Sequence, residues 1–186
     1  MKHSFPFAIA LLAAAHVLFT AGCATPARDD HGGHDHNHGF EDVKQLAAVI
    51  QPTPGNKCAG FARFIEVGHV VYVYAEISGL TPNEKHAIHL SEFGDGTAAD
   101  ASRAGGLFGA EESPRRLGEL GNLQADATGK AVFRAEFKDL STVGVGAPII
   151  GRGVIVRARA LEGGLPVGNA GARIGFGVIG VGNPKQ

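Results

Sequence analysis

From Val43 onward, apolar and polar positions alternate with a period of two, and glycine, proline, asparagine and aspartate interrupt the pattern at short intervals. Alternation sends successive side chains to opposite faces of an extended chain, so such runs predict half-buried β-strands rather than amphipathic helices. Eight runs qualify, over 46–51, 58–66, 69–77, 86–92, 117–125, 131–137, 149–158 and 172–181. The segments between them include PTPGN at 52–56, VG at 67–68, PN at 82–83 and DATG at 126–129, each built of residues that favour tight turns. Short turns join antiparallel neighbours. Two connections are longer, 93–116 and 162–171, and long loops on a rigid β scaffold are where a site would be built. The fold class predicted is all-β, with one core.

Upstream of Val43 the character differs. Lys2 and His3 precede an apolar run from Phe7 to Phe19 that leads into Thr20-Ala21-Gly22-Cys23. The run is short for a membrane span and ends on small residues, as an export signal does. Cys23 stands where bacterial lipoproteins are lipidated, and Ala24 after it favours the outer membrane over retention at the inner one. The expected organisation is a signal peptide over 1–22, a lipidated Cys23 with a His-rich tether over 23–42, and a β domain over 43–186. The expected location is the bacterial cell envelope, at the outer membrane facing the periplasm.

Composition narrows the function. A formal net charge of −1 offers no general attraction to nucleic acid. There are two cysteines. With Cys23 lipidated, Cys58 has no partner for a framework disulfide and reads as a small apolar residue near the start of a strand. The tether carries His31, His34, His36 and His38 beside Asp29, Asp30 and Asp35, without the apolar residues needed to offset the entropy of ordering. Several imidazoles on a flexible chain can wrap around copper, zinc or nickel, with an affinity that falls as the pH drops through the imidazole range.

The segments HAIHLSEFGD (86–95), AGGLFG (104–109), RRLGELGN (115–122), IIGRGVIV (149–156) and GNAGARIGFGVIG (168–180) together resemble the copper/zinc superoxide dismutases, in order and in spacing, from Ala47 to Gly182. The resemblance implies a flattened eight-stranded antiparallel Greek-key barrel whose two long loops fold over one face to form a metal site. It also implies where the ligands should be. Of the four copper histidines, one corresponds to His89, while the others fall on Ser91, Leu107 and Arg157. Of the zinc ligands, the bridging histidine is again at Leu107, another falls on Arg116, and Glu119 stands at the aspartate. No histidine follows His89 in the chain. The acid that links the two metals falls on Leu161, and the family disulfide falls on Asp100 and Phe176. His86 resembles a structural histidine beside the site, and Arg173 resembles the substrate-guiding arginine. His-rich extensions like 31–38 occur on some bacterial members of the family, where they look like metal-acquisition arms.

Dismutation needs a copper ion that alternates between two oxidation states, and one imidazole with one carboxylate holds neither copper nor zinc well. His89 and Glu119 are the residual candidate ligands of the barrel. His86 and His89 differ in strand parity, so a regular strand turns them to opposite faces. Arg116 and Arg157 are expected to supply part of the missing positive charge by pairing with Glu119, Glu92 or Asp95. The reading that follows is a non-catalytic envelope protein. Its tail captures or buffers metal, and its barrel serves as scaffold or docks another envelope protein. The alternatives are a residual copper-dependent dismutase, with a site rebuilt from His89, His86 and tail histidines, and a purely structural interaction module.

Overall fold

The computed structural model describes residues 43–109, 116–144, 146–162 and 167–185. Among the described residues there are nine strands: β1 (Gln45–Pro52), β2 (Ala59–Val67), β3 (Val70–Ser78), β4 (Lys85–Ser91), β5 (Glu119–Gln124), β6 (Ala131–Phe137), β7 (Gly153–Arg157), β8 (Arg173–Val178) and the two-residue β9 (Gly180–Val181). They answer to the eight predicted runs, with the last run divided into β8 and β9. That division has a cause in the pairing. Val178 still faces Gly153 of β7, whereas Gly180 and Val181 cross to Ala47 and Leu46 of β1. The only helical turns among the described residues are two short 3-10 segments, Ser102–Ala104 and Val167–Ala170.

Hydrogen bonding runs in the order β5-β4-β7-β8-β1-β2-β3-β6, every neighbour antiparallel. The two end strands, β5 and β6, pack against each other, so the sheet nearly closes into a barrel. Its interior is apolar and includes Leu46, Ile50, Phe64, Val73, Ile88, Leu90, Leu123, Val154 and Val156. Cys58 lies in this interior as a buried thiol, and burial pushes its pKa up to about 12. It is a packing residue, as its surroundings in the sequence predict.

Burial along the strands shows where the outside of the barrel is covered. In β3, Val71, Val73, Ala75 and Ile77 are buried and alternate with the more exposed Tyr72, Tyr74 and Glu76, the signature of one wet face. In β4 every residue from His86 to Ser91 is buried, and in β7 every residue from Gly153 to Val156. Strands buried on both sides need a second layer. The loop over 93–109 supplies it: Ala101 and Ala104 form a small separate apolar cluster with Ile155, and Phe176 packs against it.

Candidate functional site

Strand pairing assembles the outer face beneath this loop. His89 is the cross-strand partner of Ile155 on one side and of Glu119 on the other, and Ile155 is the partner of Phe176. Directly opposed residues of an antiparallel pair share a face, so these four side chains lie together. Two pairs further along, Arg157 faces Arg173, after an irregularity between Val156 and Arg157. Ser91 faces Gly153 and also bridges to Leu107 of the loop. Of the residues expected near one site, His89, Glu119, Ser91, Arg157 and Arg173 lie on paired strands, and Leu107 bridges to Ser91 from the loop.

Close backbone approaches hold the arrangement. A Cβ at Gly118 would lie 2.6 Å from the Leu90 carbonyl oxygen and 2.9 Å from the Phe108 nitrogen, and a Cβ at Gly153 would lie 2.3 Å from Ser91 Oγ. Larger residues at these positions would force the loop off the sheet. The loop is also tied by hydrogen bonds: Glu92 N–H donates to Gly106 O at 3.1 Å, Phe93 N–H to Ala104 O at 2.9 Å, and Gly106 N–H to Glu92 Oε2 at 2.7 Å.

The chemistry of this face is cationic and closed. His89 is 3% exposed and its Nδ1 makes no hydrogen bond. Burial, and after it the positive charges of Arg157 and Arg173, lower its pKa to about 3, so the imidazole is neutral at physiological pH. Burial and then Arg173 also lower the pKa of Arg157. Ser91, at the other position of the strand pair, is fully buried and its hydroxyl donates to Phe93 O at 2.9 Å. Leu107 is buried as well.

Charge pairing follows the sequence expectation in part. Arg116 forms an ion pair with Glu119, three residues on, so the carboxylate at the zinc-ligand position is engaged by a guanidinium. The other two acids have different partners. Asp95 pairs with Arg103 at 3.1 Å and accepts from Thr97, and these bonds hold its pKa near 2, while Glu92 accepts from the loop backbone.

Arg173 donates to the carbonyl oxygens of Ala101 and, at 2.7 Å, Gly105. Ala101 is a left-handed non-glycine residue at φ 57, an uncommon conformation that the surrounding structure must enforce. Arg173 therefore acts as a clamp on the loop. Replacing Arg173 with Met removes both charge-assisted bonds and is expected to destabilise the fold by about 2 kcal/mol in urea unfolding. A change under about 0.5 kcal/mol, the usual surface background, would sink the clamp.

His86 is buried on the opposite face from His89, as strand parity predicts. Its Nδ1 lies 3.0 Å from the Arg157 carbonyl oxygen, which can only accept, so Nδ1 carries the proton. It fixes the backbone of Arg157 and does not join His89 as a ligand. Two further residues were not singled out by sequence reasoning. Asn122 exchanges hydrogen bonds with Leu161, its Nδ2 donating at 2.9 Å and its Oδ1 accepting at 2.8 Å. Arg152 lies 3.4 Å over the Phe108 ring and donates to Pro148 O and Glu92 O. Their only signal was membership in the LGN and IIGR segments.

The described residues of this face do not fit copper or zinc. No three side chains of His, Cys, Asp or Glu converge to hold a metal ion among the described residues. The one imidazole of the face is pressed by two positive charges, which oppose a cation at that point. The tail candidates His31, His34, His36 and His38, and the lipidation candidate Cys23, lie outside the described residues.

Comparison with known proteins follows the same lines. A family profile described as copper/zinc superoxide dismutase (SODC) matches residues 58–179. A Cu-Zn superoxide dismutase of Paramecium bursaria Chlorella virus 1 is 37% identical over 152 residues, covering 74% of this chain and 78% of the viral protein. One from Schizosaccharomyces pombe is 34% identical over 155 residues, covering 73% of this chain and 98% of the yeast protein. A copper chaperone for superoxide dismutase from Rattus norvegicus is 32% identical over 170 residues, covering 80% of this chain, which spans 60% of that chaperone's length.

Proposed function

Because this chain belongs to the copper/zinc superoxide dismutase family, and a buried, neutral His89 under the positive charges of Arg157 and Arg173 stands where the resemblance puts a copper ligand, we propose that it is a non-catalytic member. Its function is metal capture or buffering by the histidines of residues 31–38, with the barrel as a stable scaffold, on an exported lipoprotein anchored through Cys23 at the outer membrane. The observation that carries this reading is His89 set beside Arg157 and Arg173. A redox copper needs several soft or imidazole donors and an open position, and a fixed guanidinium supplies charge without donating an electron pair. The tail supplies what the barrel does not. Four imidazoles, His31, His34, His36 and His38, fall within eight residues there, a density of donors suited to a divalent transition metal.

The test is metal content after loading with copper and with zinc, measured in parallel on the full chain and on the chain lacking residues 24–40. Bound metal is expected on the first and close to none on the second. Stoichiometric copper on the truncated chain would overturn the reading and restore the dismutase alternative, for which loss of turnover in His89→Ala is the next measurement.

The copper chaperones among the relatives favour one extension, in which the captured metal is passed to a partner protein that docks on the barrel. Crosslinking in envelope preparations, with and without residues 24–40, would recover such a partner from both forms if the barrel is what docks. Recovery only with the tail intact would assign docking to the tail.

A further inference from the structure

The two sides of the barrel differ on the outside. The loop over 93–109 covers β4 and β7, whereas the outward positions of β1, β2, β3 and β6 form a wet face. Of the eight large hydrophobic side chains exposed among the described residues, five stand on this face: Val49, Ile65, Val67, Tyr72 and Val132. Exposed apolar residues scattered singly need no explanation, but a concentration on one sheet face marks a contact surface. Strand pairing sets the face out in rows. Arg63, Tyr74 and Arg134 are cross-strand partners in one row, and Ile65, Tyr72 and Glu136 in the next. Rows on one face recur at every second residue, about 6.8 Å apart.

The rings and cations of the face brace one another. The Phe61 and Tyr74 centroids are 6.0 Å apart, the Arg63 guanidinium lies 5.6 Å from the Phe61 centroid, and that of Arg134 lies 4.8 Å from the centroid of Tyr74. Side chains already held by stacking lose little freedom on docking, and tyrosine and arginine are the residues that most often carry binding energy at interfaces. The charges point to the occupant. Glu76 accepts a hydrogen bond from the Tyr74 hydroxyl, whereas no ion pair among the described residues involves Arg63, Arg134 or Glu136. Arg134 and Glu136 stand in adjacent rows of the end strand β6. A two-fold axis lying in the face, across the strands and midway between these rows, sets Arg134 of one copy against Glu136 of the other, and the reverse. The same operation sets Tyr72 against Tyr74 and Ile65 against the alkyl stem of Arg63. Further out it sets Val67 against Phe61, beside a hollow of about 280 Å³ lined also by Ala59, Gly60 and Val132. The face is therefore complementary to itself, opposite charge against opposite charge and apolar against apolar.

We propose that this face is the contact of a reversible homodimer, in which two copies pack their β1-β2-β3-β6 sheets face to face about a two-fold axis, with Arg134 and Glu136 as reciprocal charge pairs. Four strands at roughly 4.8 Å and seven residues at roughly 3.4 Å give a patch of about 19 by 24 Å. That is small for a permanent interface, so the dimer forms and separates with concentration. The inference goes beyond metal capture and stands independently of it.

The test is sedimentation velocity of the full chain from low micromolar to several hundred micromolar, as it stands and with Arg134→Glu, Glu136→Arg, both exchanges together, Ile65→Glu, and Glu84→Arg as a charge change away from the face. All five positions are exposed or at the surface, and urea unfolding of each variant checks that the fold is kept. Each single reversal puts like charges together twice, once on each side of the axis, and should weaken dimerisation about tenfold. The double exchange rebuilds both pairs with their signs swapped and should restore it to within about threefold. Ile65→Glu should abolish the dimer, and Glu84→Arg should leave it unchanged. A chain that stays monomeric throughout would overturn the inference, as would a dimer that tolerates Ile65→Glu or one that the double exchange fails to restore. A monomer drawn instead to anionic phospholipid vesicles, and released by Ile65→Glu, would give the face to a lipid surface and overturn it equally.

Discussion

Lowering the pH from 7 to 5 is expected to cost the folded barrel about 2 kcal/mol through His89 alone. The sign follows from which state binds the proton. In the unfolded chain His89 titrates at its ordinary value of 6.5, whereas in the fold burial, Arg157 and Arg173 lower it to about 3. Above pH 6.5 both states are neutral there and the group contributes no pH dependence. Below it the unfolded state takes up a proton that the native state refuses, and stability falls by about 1.4 kcal/mol per pH unit until the native imidazole itself titrates near pH 3. Carboxylates such as Asp95 work in a lower window, since Asp95 is held near 2 against an ordinary 3.8 and its contribution is lost only as the pH falls through that interval. Urea unfolding of the native chain and of His89→Gln at both pH values separates the effect. The variant should lose about 2 kcal/mol less between pH 7 and 5. Equal losses would mean that the native face admits a proton or a counterion, and that His89 is not the closed neutral group described above.

The same two arginines explain why the fold was easier to read than the site. Strands were legible because alternation is a local property: Val71, Val73, Ala75 and Ile77 declare both the strand and its buried face. The covered strands were legible as strands but not as doubly buried, because HAIHLS does not say what lies over it; the loop residues that do so, Ala101 and Ala104, are unremarkable alanines. His89 and the positions of Ser91, Leu107, Arg116, Arg157 and Arg173 come from spacing shared with a family, and strand pairing joins His89, Ser91, Arg157 and Arg173 in one sheet. Their partners were less legible. Arg116 and Glu119 are three residues apart and pair locally, whereas the partners of Asp95 and Glu92 depend on how the loop folds back, which strand periodicity does not encode.

Phe176→Ala is expected to destabilise the barrel by about 3 kcal/mol and to loosen the loop over 93–109 more than the rest of the molecule. By resemblance, this position is one end of the family's disulfide, and Asp100 holds the other. Where the resemblance implies a covalent staple, the ring of Phe176 packs between strand and loop. Phe176 packs against the small cluster of Ala101, Ala104 and Ile155, and a Cβ on Gly96 or Gly153 would come within 2.8 and 2.6 Å of its ring. Two glycines thus leave room for the ring, one from the loop and one from β7, and neither neighbour carries a side chain that could move in to fill the gap left by alanine. Cavity formation should therefore add to the lost transfer free energy. Val132→Ala, at an exposed position of β6, is the control and should change stability by less than about 0.5 kcal/mol. Hydrogen exchange at Phe93 and Ala104, whose amides bond within the loop, gives the local readout. In Phe176→Ala these amides should exchange faster than the global loss of stability accounts for. Acceleration equal to the global loss would mean that the loop opens only with the whole barrel, so that Arg173 and the Glu92 contacts, rather than the ring, are what hold it closed.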